Sequence, residues 1–152
     1  MDYEIVYLKE KIVTGIKIRT NNNDPTMKND ISNLWKRFLE DGIYQSIPNK
    51  KNENIIGLYT NYESNFNGDY DAMICCEVLE EKKFLEKVEV KKITAGKYAK
   101  FIIKGNNKEA VAEFWAKLWT MKLDRKYTFD FEEYQTDWNM NNREINVYIS
   151  IN

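Results

Sequence analysis

Apolar and polar positions change rhythm several times along the chain, and each change marks an element. Residues 3–19 alternate loosely and are rich in β-branched side chains, which predicts one or two strands with Gly15 as a bend or bulge. After Asn21-Asn22-Asn23-Asp24-Pro25 the period lengthens, and Met27, Ile31, Leu34, Trp35 and Phe38 recur at helical spacing. Asp24 as N-cap and Pro25 at the first helical position predict the start of this helix. It runs to about Leu39, and Gly42 ends it. A loop through Pro48 and the Lys- and Asn-rich segment to Asn54 leads to strands over 55–63 and 70–79, with Asn65-Phe66-Asn67-Gly68-Asp69 as the loop between them.

Glu80-Glu81-Lys82-Lys83 reads as an exposed connector and as the boundary between two halves. Residues 84–104 predict strands again, broken at Ala95-Gly96. Gly105-Asn106-Asn107 opens a second helix with Val111, Phe114, Trp115 and Leu118 on its apolar face. Strands over 127–136 and 144–151, joined by an Asn-rich turn, close the chain. The two halves resemble each other at a separation of roughly eighty residues, longer than a solenoid period. Lys11-Ile12-Val13-Thr14-Gly15 answers Lys92-Ile93-Thr94-Ala95-Gly96, and Leu34-Trp35-Lys36-Arg37-Phe38 answers Phe114-Trp115-Ala116-Lys117-Leu118. The expected architecture is therefore α+β: a duplicated strand–helix–strand–strand module in one domain, with pseudo-repeats over 1–80 and 84–152. Its antiparallel sheet would carry two helices about a pseudo-two-fold axis, with a central pocket where Trp35 and Trp115 meet.

Composition narrows the function. With 23 basic and 24 acidic residues the net charge is −1, so the basic excess of a nucleic-acid footprint is missing. No apolar run approaches a membrane span, and Met1-Asp2-Tyr3-Glu4 lacks the blocks of a signal peptide, which makes a cytoplasmic location the expectation. The absence of histidine excludes His-ligated zinc and His-based triads. Cys75 and Cys76 are adjacent, point to opposite faces of a strand, and suit reduced structural roles rather than a disulfide or a metal. Glycine is scarce and forms no phosphate-cradling loop, so no cofactor is indicated. Tyr98 and the methionines Met73, Met121 and Met140 ask for nothing beyond packing.

Aromatic residues make up 14% of the chain, and they concentrate with acids in Tyr127-Thr128-Phe129-Asp130-Phe131-Glu132-Glu133-Tyr134. On a strand Asp130, Glu132 and Tyr134 share one face, and Phe129, Phe131 and Glu133 the other. If the first face looks inward, an acid sits among rings with no basic partner in that stretch, a cost relieved by a proton or a bound cation. If it looks outward, Glu132 is simply solvated. Trp35, Trp115 and Trp119 on the helices and Tyr59 on the answering strand are core or pocket wall on the pattern alone.

Ile93-Thr94-Ala95-Gly96-Lys97-Tyr98-Ala99-Lys100-Phe101 resembles the signature of GyrI-like effector-binding domains. So do Trp115 and Trp119, the run Asp130 to Tyr134, and the ending Val147-Tyr148-Ile149-Ser150-Ile151. Leu34 to Phe38 and Gly57-Leu58-Tyr59-Thr60-Asn61-Tyr62-Glu63 are similar to its stand-alone, integron-associated branch. Thr94 replaces the proline of the signature. The resemblance implies a pocket for small, often cationic and aromatic, molecules. Its glutamate maps onto Glu132, with Tyr134, Trp35, Tyr59, Trp115 and Trp119 as candidate ligand contacts. The expected function is a cytoplasmic small-molecule-binding module, related to effector domains of transcription regulators but without their DNA-binding half. A hydrolase of electrophiles using Glu132 with Tyr134 or Tyr59 is the alternative, and a module that inhibits a larger protein partner is a third.

Overall fold

The computed structural model describes residues 1–105, 108–135 and 144–152. The elements are β1 (Glu4–Leu8), β2 (Lys11–Thr20), α1 (Met27–Glu40), α2 (Ile43–Ser46), β3 (Ile55–Thr60) and β4 (Tyr70–Val78). They continue with β5 (Glu89–Ile93), β6 (Gly96–Lys104), α3 (Lys108–Thr120), β7 (Arg125–Tyr134) and β8 (Glu144–Ile151). The expected Asn106-Asn107 helix start, the Asn-rich turn, Thr136 and Met140 fall outside the described residues.

All eight strands join one antiparallel sheet in the order β1-β6-β8-β7-β3-β4-β2-β5. Outward from the central β7·β3 pair, the order is β8, β6, β1 on one side and β4, β2, β5 on the other. The α+β class expected from the pattern is the one observed, and α1 and α3 follow equivalent strands on the two sides of that central pair.

Chain connectivity forces the sheet to curl. β1 is one edge of the strand order and β2 lies next to the other edge, β5, yet only Lys9 and Glu10 separate them. Cα atoms are about 3.8 Å apart along the chain, so Leu8 and Lys11 lie within about 11 Å of each other. Thr94 and Ala95 impose the same closeness on β5 and β6. The curled inner face is sealed by Val13, Ile56, Leu58, Met73, Cys75, Ile93, Tyr98 and Phe131, with Val6 and Leu8 of β1 against them.

The helices cover the opposite face, each over its own patch. Leu34 and Phe38 of α1 pack with Ile16, Ile55, Ile74 and Cys76. Phe114 and Leu118 of α3 pack with Phe101, Ile145, Val147 and Ile149. Cys75 and Cys76 are free, buried and committed to opposite faces, as strand alternation requires. Between the two helical patches runs the β3·β7 seam, and there the apolar pattern gives way to Glu132.

Several local expectations are corrected. α1 begins at Met27, not at Pro25, because the Asp24 carboxylate accepts the Thr26 N–H at 2.9 Å and closes a turn ahead of the helix. Gly42, at φ 77°, ends the α1 region as expected, but a short helix, α2, follows where a loop was expected. β3 stops at Thr60 because Asn61 turns into the left-handed region at φ 54°. Residues 84–88 are not strand, and β7 starts two residues early, at Arg125. Gly15 is neither bend nor bulge. It pairs with Cys75 and Glu89 in mid-strand, and a Cβ there would run into the Ile74 carbonyl oxygen and lie 2.6 Å from the Cys75 Cα.

Because those neighbours are backbone atoms of the adjoining strand, they cannot swing aside. Gly15→Ala is expected to destabilise the fold by about 3 kcal/mol, at the upper end of ordinary overpacking. Denaturant unfolding checks this, and a loss near zero would mean that β2 and β4 separate easily.

Candidate functional site

Glu132 sits at the middle of the sheet, opposite Gly57 on β3 and Val147 on β8. Phe131 points into the sealed inner face, so alternation sends Glu132 to the helix side. There it is only 1% exposed. Three neutral side chains converge on it. Trp115 Nε1–H donates to Oε1 at 2.7 Å, the Tyr59 hydroxyl to Oε1 at 3.3 Å, and the Tyr134 hydroxyl to Oε2 at 2.6 Å. Tyr134 reaches it because residues two apart on a strand share a face; Trp115 reaches it from α3 and Tyr59 from β3.

No ion pair among the described residues includes Glu132. Burial pushes its carboxyl above the ordinary range, and the hydrogen bonds from Tyr134, Trp115 and Tyr59 pull the other way without cancelling that rise. The surrounding phenols are held firmly protonated. Burial first, then the Glu132 charge, raises Tyr70 to about 12 and drives Tyr59 and Tyr134 well above their usual value. Tyr59 and Tyr134 therefore act as donors to the acid, while the Tyr70 hydroxyl donates to Asn22 Oδ1 at 2.7 Å.

Asp130, two residues earlier, is in the opposite situation. Arg125 Nη2 lies 2.8 Å from its Oδ2, the Tyr62 hydroxyl donates at 2.6 Å, and the Ser150 N–H at 3.0 Å. The expectation of no basic partner inside the strand is thus corrected for Asp130. A register shift between Arg125 and Asp130, with Tyr127 at φ 56°, accompanies the approach of that arginine. Of the two buried acids on this face, one is neutralised by a cation and the other is not.

The candidate residues divide clearly. Glu132, Tyr134, Tyr59 and Trp115 share hydrogen bonds. Trp35 joins them by packing edge-on against Tyr134 at 5.0 Å, as Trp115 packs against Tyr59 at 5.4 Å. The two indoles flank Glu132 from opposite helices, and each rests on a tyrosine rather than on the other indole. Trp119 is set apart: it is 40% exposed and stacks on Phe66 of the β3–β4 loop at 6.0 Å. The rings fill the space expected to stand open between the helices. Cavities of about 170 Å³ (Ser32, Trp35, Lys36, Leu39, Glu40) and about 220 Å³ (Thr14, Pro48, Asn49, Val78, Glu80, Lys82, Phe84) lie elsewhere, the first sharing Trp35 with the site.

Two members were not anticipated from the sequence. Tyr70, 4% exposed, backs Tyr59 at 5.9 Å. Gly57 faces Glu132 across the β3·β7 pair. The strand register that places both is carried by no local signal, although Gly57 interrupting an apolar strand run was a usable hint.

A curled antiparallel sheet thus carries two helices that flank a buried acid in a cage of rings. The chain matches the family described as "Cass2: Integron-associated effector binding protein" over residues 4–151, and it belongs to that family. Among its relatives is YobU of Bacillus subtilis (strain 168), which carries a provisional description as a transcriptional regulator. It is 29% identical over 97% of this chain and 96% of its own. The integron cassette protein VCH_CASS2 of Vibrio cholerae superimposes with a TM-score of 0.79, at 29% identity over 99% of this chain and 95% of that one. SAV2435, solved bound to tetraphenylphosphonium, also reaches 0.79, at 19% identity over 100% of this chain and 94% of that one, a likeness of fold. No helix among the described residues is long and apolar enough to cross a membrane.

The raised carboxyl has a definite consequence for stability. The native state holds its proton to higher pH than the unfolded chain, so the acid's contribution declines as pH rises from the ordinary carboxyl value of 4.5 through the raised native value, then levels off. Glu132→Gln, which carries no charge, is expected to gain stability relative to the parent across that window. Denaturant melts of both proteins at a series of pH values check the sign; a gap that narrows with rising pH would show that the cage holds the anion better than water does.

Proposed function

We propose that this protein binds lipophilic aromatic cations, with Glu132 as the counter-charge and the surrounding rings as the walls. The observation that carries this reading is a buried carboxylate with three neutral donors and, among the described residues, no cation beside it. An acid in that position is relieved by a proton or by a positively charged guest. Tyr59, Tyr134 and Trp115 keep its oxygens oriented. Trp35 and Trp115 offer ring faces, each worth about 0.5–2 kcal/mol to a desolvating cation, and Trp119 with Phe66 forms the rim. The tetraphenylphosphonium held by SAV2435 belongs to this chemical class.

Since rings occupy the site, a guest enters by displacing them, Trp35 first, because it is the one that also borders a cavity. Entry of a cation expels the proton, so binding strengthens as pH rises through the raised carboxyl value. The two halves, 1–80 and 84–152, are proposed to be copies of one module whose junction is the site. The protein acts as a cytoplasmic sensor or sequestering module for several such compounds in a bacterium, by binding without turnover and without touching nucleic acid itself.

A thermal-shift and calorimetric titration with tetraphenylphosphonium and with neutral triphenylphosphine oxide tests this, since a ligand of the folded state raises Tm. Glu132→Gln is expected to weaken the cation at least about tenfold, which is about 1.4 kcal/mol, and to leave the neutral compound unchanged. Equal losses for both would refute the electrostatic part. Consumption of an electrophilic ester that stops with Glu132→Gln would instead make the protein a hydrolase.

A further inference from the structure

The two edges of the sheet are defended differently. β5, at one end of the strand order, carries Lys91 and Lys92, and Lys92 pairs with Glu81 at 3.0 Å. Charges of this kind keep an edge from pairing with another chain. β1, at the other end, has β6 on one side and no strand among the described residues on the other. It contains no proline, and its register with β6 runs unbroken from Glu4 to Leu8.

The side chains of this edge divide by alternation. Val6 and Leu8 turn to the sealed inner face. Tyr3, Ile5 and Tyr7 turn to the helix side, where Tyr3 rests on Phe101 at 5.2 Å. These three are 43%, 51% and 77% exposed. Single exposed apolar side chains are ordinary, but a contiguous stripe of them marks an interaction surface. Here the stripe runs along an open strand edge, which is itself a template for pairing.

We infer that β1 is a self-association surface, on which a second copy of this chain pairs antiparallel about a two-fold axis and joins two sheets into one. The charges along the strand favour this occupant and fix its register. A two-fold axis sets one residue opposite itself and its neighbours opposite each other in reverse order. Centred on Glu4, the pair brings two Glu4 carboxylates face to face. Centred on Val6 it opposes Asp2 to Glu10, and centred on Tyr7 it opposes Glu4 to Glu10. A centre at Leu8 leaves Tyr3 and Ile5 beyond the end of the facing β1. Centred on Ile5, no like charges meet. Tyr3 then faces Tyr7 of the second copy and Ile5 faces its own counterpart, so the whole exposed stripe pairs with itself. Aromatic and β-branched cross-strand pairs stabilise a sheet, and like charges directly opposite destabilise it. An unrelated segment would have to supply that match by chance, whereas a second copy contains it.

A pairing through one short strand makes a small interface, so the dimer is expected to build with concentration rather than to be permanent. Sedimentation velocity on the parent chain over a rising concentration series tests this, with Tm as the control for folding. Tyr7→Lys puts a charge into the stripe at an exposed position and is expected to weaken association about tenfold or more. Disulfide trapping reads the register. Cys75 and Cys76 are buried, so a thiol introduced on β1 is the accessible one. Ile5→Cys is expected to cross-link to its own copy under mild oxidation, because facing residues of an antiparallel pair lie within disulfide reach. Glu4→Cys, which would face Val6, is expected not to. A parent that stays monomeric throughout overturns the inference and leaves the edge to an extended segment of another protein. Association that Tyr7→Lys leaves unchanged, no cross-link through Ile5→Cys, or one that forms as readily through Glu4→Cys overturns it equally.

Discussion

A carboxylate at the centre of a sheet, between two helices and with no counter-ion among the described residues, is the constraint to which the rest of this molecule answers. Burying such a group is costly unless hydrogen bonds or a charge compensate. Here the compensation is partial by construction. Two phenols and an indole donate to Glu132, yet its carboxyl remains displaced upwards by burial. Asp130 shows that the same strand can settle an acid completely, with an arginine, a tyrosine and a backbone N–H. The difference between the two is the ground on which Glu132 is proposed as a binding site.

The fold delivers that acid to the seam by topology. Short connections force opposite edges of the sheet together, which seals the inner face with apolar side chains and leaves the other face to the helices. Each helix packs mainly over its own half of the strands, and the β3·β7 pair lies between them. That strip is filled from both sides by tyrosines of the strands and by Trp35 and Trp115 of the helices. Aromatic side chains suit this task because they bring large apolar area with a donor at the tip. The same property suits the strip to the exchange that the proposed binding of a lipophilic aromatic cation requires.

Glycine marks two different close approaches in this sheet. Gly15 yields space to a neighbouring strand's backbone, and Gly57 yields space to the side chains of Glu132, Trp35 and Tyr134. The same residue type answers a backbone in the first case and side chains in the second, and only the identity of the neighbouring atoms separates them.

Much of this was legible in the chain itself. The 3.6-residue spacing of Leu34, Trp35 and Phe38 and the two-residue alternation of residues 127–134 depend on local geometry, so the helices, the strands and the shared face of Glu132 and Tyr134 followed directly. Helix starts and strand ends did not, because a side-chain turn at Asp24 and a left-handed Asn61 are settled by single hydrogen bonds and dihedrals. Nor could the chain alone say which face of β7 is buried, that Arg125 folds back on Asp130 while no cation among the described residues reaches Glu132, or that Gly57 and Tyr70 lie beside the cage. Those facts depend on strand register and on which helix lies over which strand. Both are set by contacts between residues far apart in the chain, where no local period carries the information.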